Sequence, residues 1–296
     1  MTHRHSIALA AITTTFTLML SSCNSDPEVD ARVFVELKGL SPLEPDDRQA
    51  DDTAGHEYVL WKNDGTTSQP IERFTSATGI VTLSFPAADS DSIRSLFVTI
   101  ERVDDIIDTP SRSVLLAGEL IEGQGTMQVA HVDAIGTGFE DANGSYRLTT
   151  PSTAMEADYD QGIWWFDFIG TPVQSLFLPT LPQGWTYEGW ILGGSSPRST
   201  GKFRDAGRFD SDGGGSLAAD GTDPPLFPGQ DYISDPVALG GLTAAISVEP
   251  VPDFSAGPFG LRVLLDQVID EVRVNQPMEN VTTGRLPTGS VTTNRR

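Results

Sequence analysis

Val98-Thr99-Ile100-Glu101-Arg102-Val103-Asp104-Asp105 and, 148 residues further on, Ile246-Ser247-Val248-Glu249-Pro250-Val251-Pro252-Asp253 are variants of one short pattern. In each, apolar residues alternate with polar ones over the first four positions. That period of two belongs to a strand with one face on a core and the other facing polar surroundings. Val81, Leu83 and Phe85 alternate in the same way with Thr82 and Ser84. The pattern predicts an antiparallel, all-β chain.

Working outward, the order of features around the two stretches also repeats. Gly39-Leu40-Ser41-Pro42-Leu43, Glu57-Tyr58-Val59-Leu60-Trp61 and Phe74 precede the first. Phe177-Leu178-Pro179-Thr180-Leu181, Tyr187-Glu188-Gly189-Trp190-Ile191 and Phe203 precede the second. Tyr58 and Tyr187, Trp61 and Trp190, and Phe74 and Phe203 are each 129 residues apart. The later matches are 148 apart, so 19 extra residues fall in a second-copy loop around Asp205–Asp235. Pro110 then matches Pro258, and Val114-Leu115-Leu116 is aligned with Val263-Leu264-Leu265. Trp61 and Trp190 are expected to fill equivalent core positions, because an indole buries a large apolar area.

Between the copies, Thr126–Val132, Ser145–Thr149 and Ile163–Phe168 read as strands separated by turns rich in Gly, Asp and Asn. Val263–Val274 reads as a strand by analogy with Val114–Leu120. The expected organisation is two related antiparallel β-sandwich domains, over 32–122 and, with additional strands, 123–274. Residues 275–296 form a polar tail, either an edge strand or disordered.

The 296-residue chain carries a formal net charge of −22. So acidic a surface repels phosphate backbones, which argues against a nucleic-acid partner. Of its 19 basic residues only Lys38, Lys62 and Lys202 are lysines. A protein adapted to concentrated salt and an ordinary acidic exported protein would both look like this. A single cysteine excludes an intrachain disulfide.

That cysteine has a special place. His3, Arg4 and His5 form a short basic head, and an apolar run from Ile7 to Leu20 follows, short for a membrane span. The run ends in Leu20-Ser21-Ser22-Cys23, which resembles the lipobox of bacterial lipoproteins. The resemblance implies a signal peptide over 1–22, diacylglycerol on the Cys23 thiol and a lipidated tether over 23–31, with acyl chains such as palmitate holding the protein to a membrane. Asn24 stands where an aspartate favours inner-membrane retention in such lipoproteins, which favours the outer membrane.

The exported part carries a second resemblance. Leu178-Pro179-Thr180-Leu181-Pro182-Gln183-Gly184-Trp185-Thr186-Tyr187-Glu188-Gly189-Trp190 leads to Pro197-Arg198-Ser199-Thr200-Gly201-Lys202-Phe203. Phe227-Pro228-Gly229-Gln230-Asp231-Tyr232 and Ile246-Ser247-Val248-Glu249-Pro250 come later. These segments are similar to the extracytoplasmic domain of anti-sigma-K-type factors, over about Phe177–Ile269 and, more faintly, Val33–Leu120. The resemblance implies a β-sandwich sensing or binding module. The family's sigma-gripping helical segment and membrane-spanning helix are not matched here, so no direct sigma-factor binding is expected.

Catalytic patterns are sparse. Beyond the leader only His56, at a strand head, and His131, read as lying within a strand, remain. Neither forms a clustered metal motif, and no G-x-S-x-G elbow occurs. Asp210 and Asp212, in Asp210-Ser211-Asp212-Gly213-Gly214-Gly215, are the best calcium candidates, because close carboxylates in a glycine-rich loop suit a hard cation. Gly221, however, occupies the position where an EF-hand needs an acid, and a solvated acidic loop is the plainer alternative. Trp164-Trp165-Phe166 offers aromatic surface to a sugar if the rings are exposed. No cofactor is expected. The expected function is a lipid-anchored, non-catalytic envelope protein that binds an unidentified envelope protein or glycan. The alternatives are a carbohydrate-binding or glycan-acting envelope protein and a purely structural one. Two buried acids with perturbed pKa values in one pocket would favour glycan chemistry.

Overall fold

In the computed structural model, residues 31–43, 55–76, 79–87, 92–106, 109–151, 153, 155–203, 227–233, 235–267 and 269–294 are described. Leu20, Ser21, Ser22 and Cys23 of the expected lipobox and the calcium candidates Asp210 and Asp212 lie outside these residues. Ala31–Arg296 forms one compact unit.

The chain is nearly all-β. Its first strands are β1 (Arg32–Lys38), β2 (His56–Asn63), β3 (Ser68–Phe74), β4 (Ile80–Pro86), β5 (Ser95–Arg102), β6 (Val114–Glu119) and β7 (Gly125–Gln128). The middle of the chain forms β8 (Ser145–Leu148), β9 (Gly162–Trp164), β10 (Phe166–Phe168) and β11 (Pro172–Gln174). Then come β12 (Trp185–Leu192), β13 (Arg198–Phe203), β14 (Gly229–Asp231), β15 (Thr243–Pro250) and β16 (Arg262–Asp266), with β17 (Asn275–Pro277), β18 (Glu279–Asn280) and β19 (Thr288–Asn294) at the end.

They build an eight-stranded antiparallel sheet, β3-β2-β5-β6-β7-β19-β1-β4, that is nearly closed. A five-stranded sheet, β13-β12-β15-β16-β18, faces a four-stranded one, β14-β9-β8-β17, and β10-β11 is a separate hairpin. Tyr146 of β8 ties the facing sheets together through its hydroxyl, which donates to Asp266 of β16 at 2.7 Å. Alternation places Val33, Val35 and Leu37 of β1 on the core side, while Phe34 and Lys38 face outward.

The repeat is a property of strand pairing. The order β3-β2-β5-β6 recurs as β13-β12-β15-β16. Tyr58 pairs with Phe74 and Ile100, while Tyr187 pairs with Phe203 and Val248. Each copy has a β-bulge at the same place: Val98 pairs with Leu116 but Thr99 with Val114, and Ile246 pairs with Leu264 but Ser247 with Arg262. The bulged residues are Leu115 and Val263. The structural equivalent of Leu116 is therefore Leu264, one residue earlier than the sequence alignment had it.

Several local expectations need correction. The polar tail is not an edge. β19 lies between β7 and β1 in full antiparallel register with β1, from Arg32↔Asn294 to Lys38↔Thr288. Its alternating Gly289 and Val291 face the core, so one small and one β-branched residue suffice to hold a central strand there. The large sheet thus takes in β7 and β19 from beyond residue 122, which redraws the boundary between the halves. His131 sits in a bend after β7, not within a strand, and the strand candidate Val263–Val274 stops at Asp266.

Trp61 and Trp190 are equivalent and buried, but they do not sit in the main core. Tyr58 and Leu60 belong to the contiguous apolar cluster, as does Tyr187, and the tryptophans lie on the opposite face of their strands.

Candidate functional site

The face that holds these tryptophans is built from polar parts. The Trp61 indole N–H donates to Thr99 Oγ1 at 2.8 Å, and the Thr99 hydroxyl donates to Glu101 Oε1 at 2.5 Å. The Ser111 backbone N–H donates to the same carboxylate oxygen at 2.8 Å. In the second copy the Trp190 indole N–H donates to Ser247 Oγ at 2.8 Å, and the Ser247 hydroxyl donates to Glu249. The Phe259 backbone N–H donates to Glu249 Oε1 at 2.9 Å. Ser111 and Phe259 are themselves 148 residues apart. The indole, hydroxyl, carboxylate and amide form one relay, used twice. It explains why a tryptophan, a hydroxyl residue and a glutamate recur in the same order, the last two always two residues apart: each buried polar group there needs the next.

A second lock is also doubled. Tyr58 donates to the Ser41 carbonyl at 2.9 Å and Tyr187 to the Pro179 carbonyl at 2.7 Å, fixing the chain segments that lead into the copies. Tyr58 and Phe74 stack at 5.6 Å, Tyr187 and Phe203 at 5.8 Å.

The copies diverge at one cluster. In the first, Arg73 pairs with Glu57 at 2.8 Å and donates to the carbonyls of Val103 and Asp105. In the second, Lys202 occupies the equivalent position and pairs with Asp253 at 2.8 Å. Glu188, opposite Lys202 across β12 and β13, stands where the first copy has Val59. Glu188 is only 3% exposed and Glu249 is fully buried. Lys202 Nζ is 3.9 Å from Glu188 Oε2, and that oxygen accepts no hydrogen bond. Ser199 donates to the other oxygen.

Burial raises the Glu188 pKa; the Ser199 hydroxyl and the Lys202 charge oppose it and Asp253 adds to it, for a net value of about 7. Burial, opposed by the Ser247 hydroxyl and reinforced by the charges of Asp253 and Glu188, also holds Glu249 well above the usual carboxylate range. Burial alone would lower Lys202, but the hydrogen bond and charge of Asp253 outweigh it and raise its pKa.

Two buried acids with raised pKa values are thus present, but they do not line a pocket. The cavity nearest to them lies between the copies. It is about 190 Å³ and is lined by His56, Glu101, Arg102, Ser111, Pro252 and Phe254 among others. Ligand pockets for drug-sized molecules begin at about 300 Å³. His56 stacks flat on Phe254, with ring centroids 3.9 Å apart. Around the cleft the copies are joined by Ser113 Oγ donating to the Gly184 carbonyl at 3.1 Å and by the Trp185 indole donating to the Val114 carbonyl at 3.2 Å. Gly184 has φ +95°, and a Cβ there would lie 2.2 Å from the Arg112 carbonyl oxygen, so the approach of the two copies requires glycine.

His56 is therefore packed at the junction rather than exposed at a strand head. His131 lies beside a shallow groove between β7 and β19 and accepts the Asp133 N–H at 3.1 Å. Trp164, Trp165 and Phe166 are all buried; the indoles donate to Asp231 and Thr200, so they present no stacking surface. Among the described residues no group of three or more His, Cys, Asp or Glu side chains could hold a metal ion, and no helix is long and apolar enough to cross a membrane. Sequence reading missed Glu188, Lys202 and Asp253. The signal available was the replacement of an apolar strand residue, Val59, by an acid in the second copy. No family model, no curated protein and no solved structure matches the chain.

Proposed function

We propose that the chain is a lipid-anchored, non-catalytic cell-envelope protein whose two related β-units serve binding or sensing, as in the anti-sigma-K-type domains that its sequence resembles. The observation that supports this reading is the doubled relay. Glu249, one of the two acids a glycan-cleaving reading would recruit, is held by a hydroxyl and a backbone amide in the same way as Glu101 in the first copy. A general acid must reach the proton acceptor on its substrate. Glu249 and Glu188 are buried, and among the described residues neither lines any of five cavities of the fold. The burial of Trp164 and Trp165 removes the aromatic platform that a sugar would stack on.

Anchoring is attributed to Cys23, and the ligand to an envelope protein or glycan. Cys23→Ala should abolish lipid labelling and move the protein from the membrane to the soluble fraction; retention with labelling would defeat the anchor. The unaltered protein, incubated with envelope glycans, should release no reducing ends. Release that disappears in Glu188→Gln or Glu249→Gln would replace this reading with the enzymatic one.

A further inference from the structure

The loop after β15 has two faces with different jobs. Asp253 points into the second copy, where it meets Lys202 of β13 at 2.8 Å, and the same ammonium lies 3.9 Å from Glu188 of β12. The next residue, Phe254, points to the first copy and stacks on His56. Pro252 and Phe254 also line the cleft between the copies, together with Glu101, Arg102 and Asp105. Two adjacent residues, Asp253 and Phe254, therefore couple a buried charge cluster to the wall of a cavity between the copies.

We propose that Asp253 and Phe254 form a proton-operated latch on the cleft between the two copies, closed when Glu188 holds its proton and released when that proton is lost. This inference goes beyond the binding role and does not depend on the lipid anchor. With the proton in place, Glu188 is neutral, and Lys202 balances the remaining charge. Without it, Glu188 and Asp253, with Glu249 of β15 behind them, face a single ammonium. Lys202 sits 2.8 Å from Asp253 but 3.9 Å from Glu188 and does not serve both equally. The first copy has no such device, because Val59 replaces Glu188 and Arg73 grips backbone carbonyls, which do not titrate.

Repulsion has an outlet. Glu188 and Glu249 are fixed on central strands, whereas Asp253 is on a loop held locally by Ser255 N–H at 2.9 Å. Movement of Asp253 drags Phe254 from His56. The groups facing Glu188 are Lys202 and the Ser199 hydroxyl from β13, Glu249 from β15, and Asp253 from the loop. Those nearest His56 in the cleft are Glu101, Arg102 and Asp105, with the Asp104 charge in range.

Hydrogen exchange of segment 251–258 in the full chain, corrected for the intrinsic rate, tests this between pH 6 and pH 8.5. In the unaltered protein the open population should rise about fivefold between pH 6 and pH 7 and level off by pH 8, because opening releases a proton only below the closed-state pKa of about 7. Glu188→Gln keeps a donor and cannot ionise, so its segment should stay protected throughout. His56→Phe keeps the stack without an imidazole, so its pH response should persist. Should Glu188→Gln fail to fold, Asp253→Asn must remove the dependence instead. Constant protection in the unaltered protein, or a response that survives in the folded Glu188→Gln or Asp253→Asn variant, overturns the latch.

Discussion

At the scale of single residues, the molecule places carboxylates where apolar side chains are the rule. Glu249 is buried on all sides, and it is accommodated because Ser247 and the Phe259 amide point at it and the Trp190 indole feeds the chain of donors. Removing it leaves a hydroxyl and an amide buried without partners, each costing about 1–3 kcal/mol. Glu249→Ala should therefore destabilise by roughly 3 kcal/mol in urea unfolding at pH 7. Glu249→Gln keeps an acceptor and removes an ionisable group that burial holds far above its usual pKa. Its midpoint should equal or exceed that of the unaltered protein at pH 8. A glutamine variant as unstable as the alanine one would mean that the negative charge itself holds the relay.

At the scale of elements, alternation in β4, β5 and β15 was legible because those strands place one polar and one apolar face in different surroundings. The repeat was legible because bulge, tyrosine lock and relay all need specific residue types. What could not be read was β19. Gly289, Val291 and Thr293 bury little apolar area, and nothing in them announces a central strand; β1 and β7 supply the partners from far along the chain. Nor could the cluster of Glu188, Lys202 and Asp253 be read. It depends on β12 and β13 pairing in register and on the loop after β15 turning back, and a chain with 41 acidic residues offers many equally plausible pairs. The placement of β19 has a direct consequence. Truncation before Thr288 would strip the ladder from both β1 and β7 and split the eight-stranded sheet in two. The truncated protein should lose its cooperative thermal transition and gain dye-binding apolar surface. A sharp transition within a few degrees of the full chain would show that β19 is dispensable.

At the scale of the whole molecule, these buried acids set the sign of the pH dependence. A carboxylate held in a salt bridge has a depressed pKa, and its contribution is lost as pH falls. Glu188 is the opposite case. Its folded pKa of about 7 lies above the ordinary value of 4.5, so between those limits the folded protein holds a proton that the unfolded chain has released. Stability then falls as pH rises through that window, and the penalty is complete above it. A shift of this size corresponds to roughly 3 kcal/mol, and Glu249 acts in the same direction. The net charge of −22 adds to it, since self-repulsion in the compact state grows as acids ionise. The urea midpoint should therefore be higher at pH 5 than at pH 8. Glu188→Gln should flatten most of that slope in 1 M salt, where long-range repulsion is screened and the buried group is not. A midpoint that rises from pH 5 to pH 8 would mean that Glu188 is ionised throughout and that Lys202 compensates it fully.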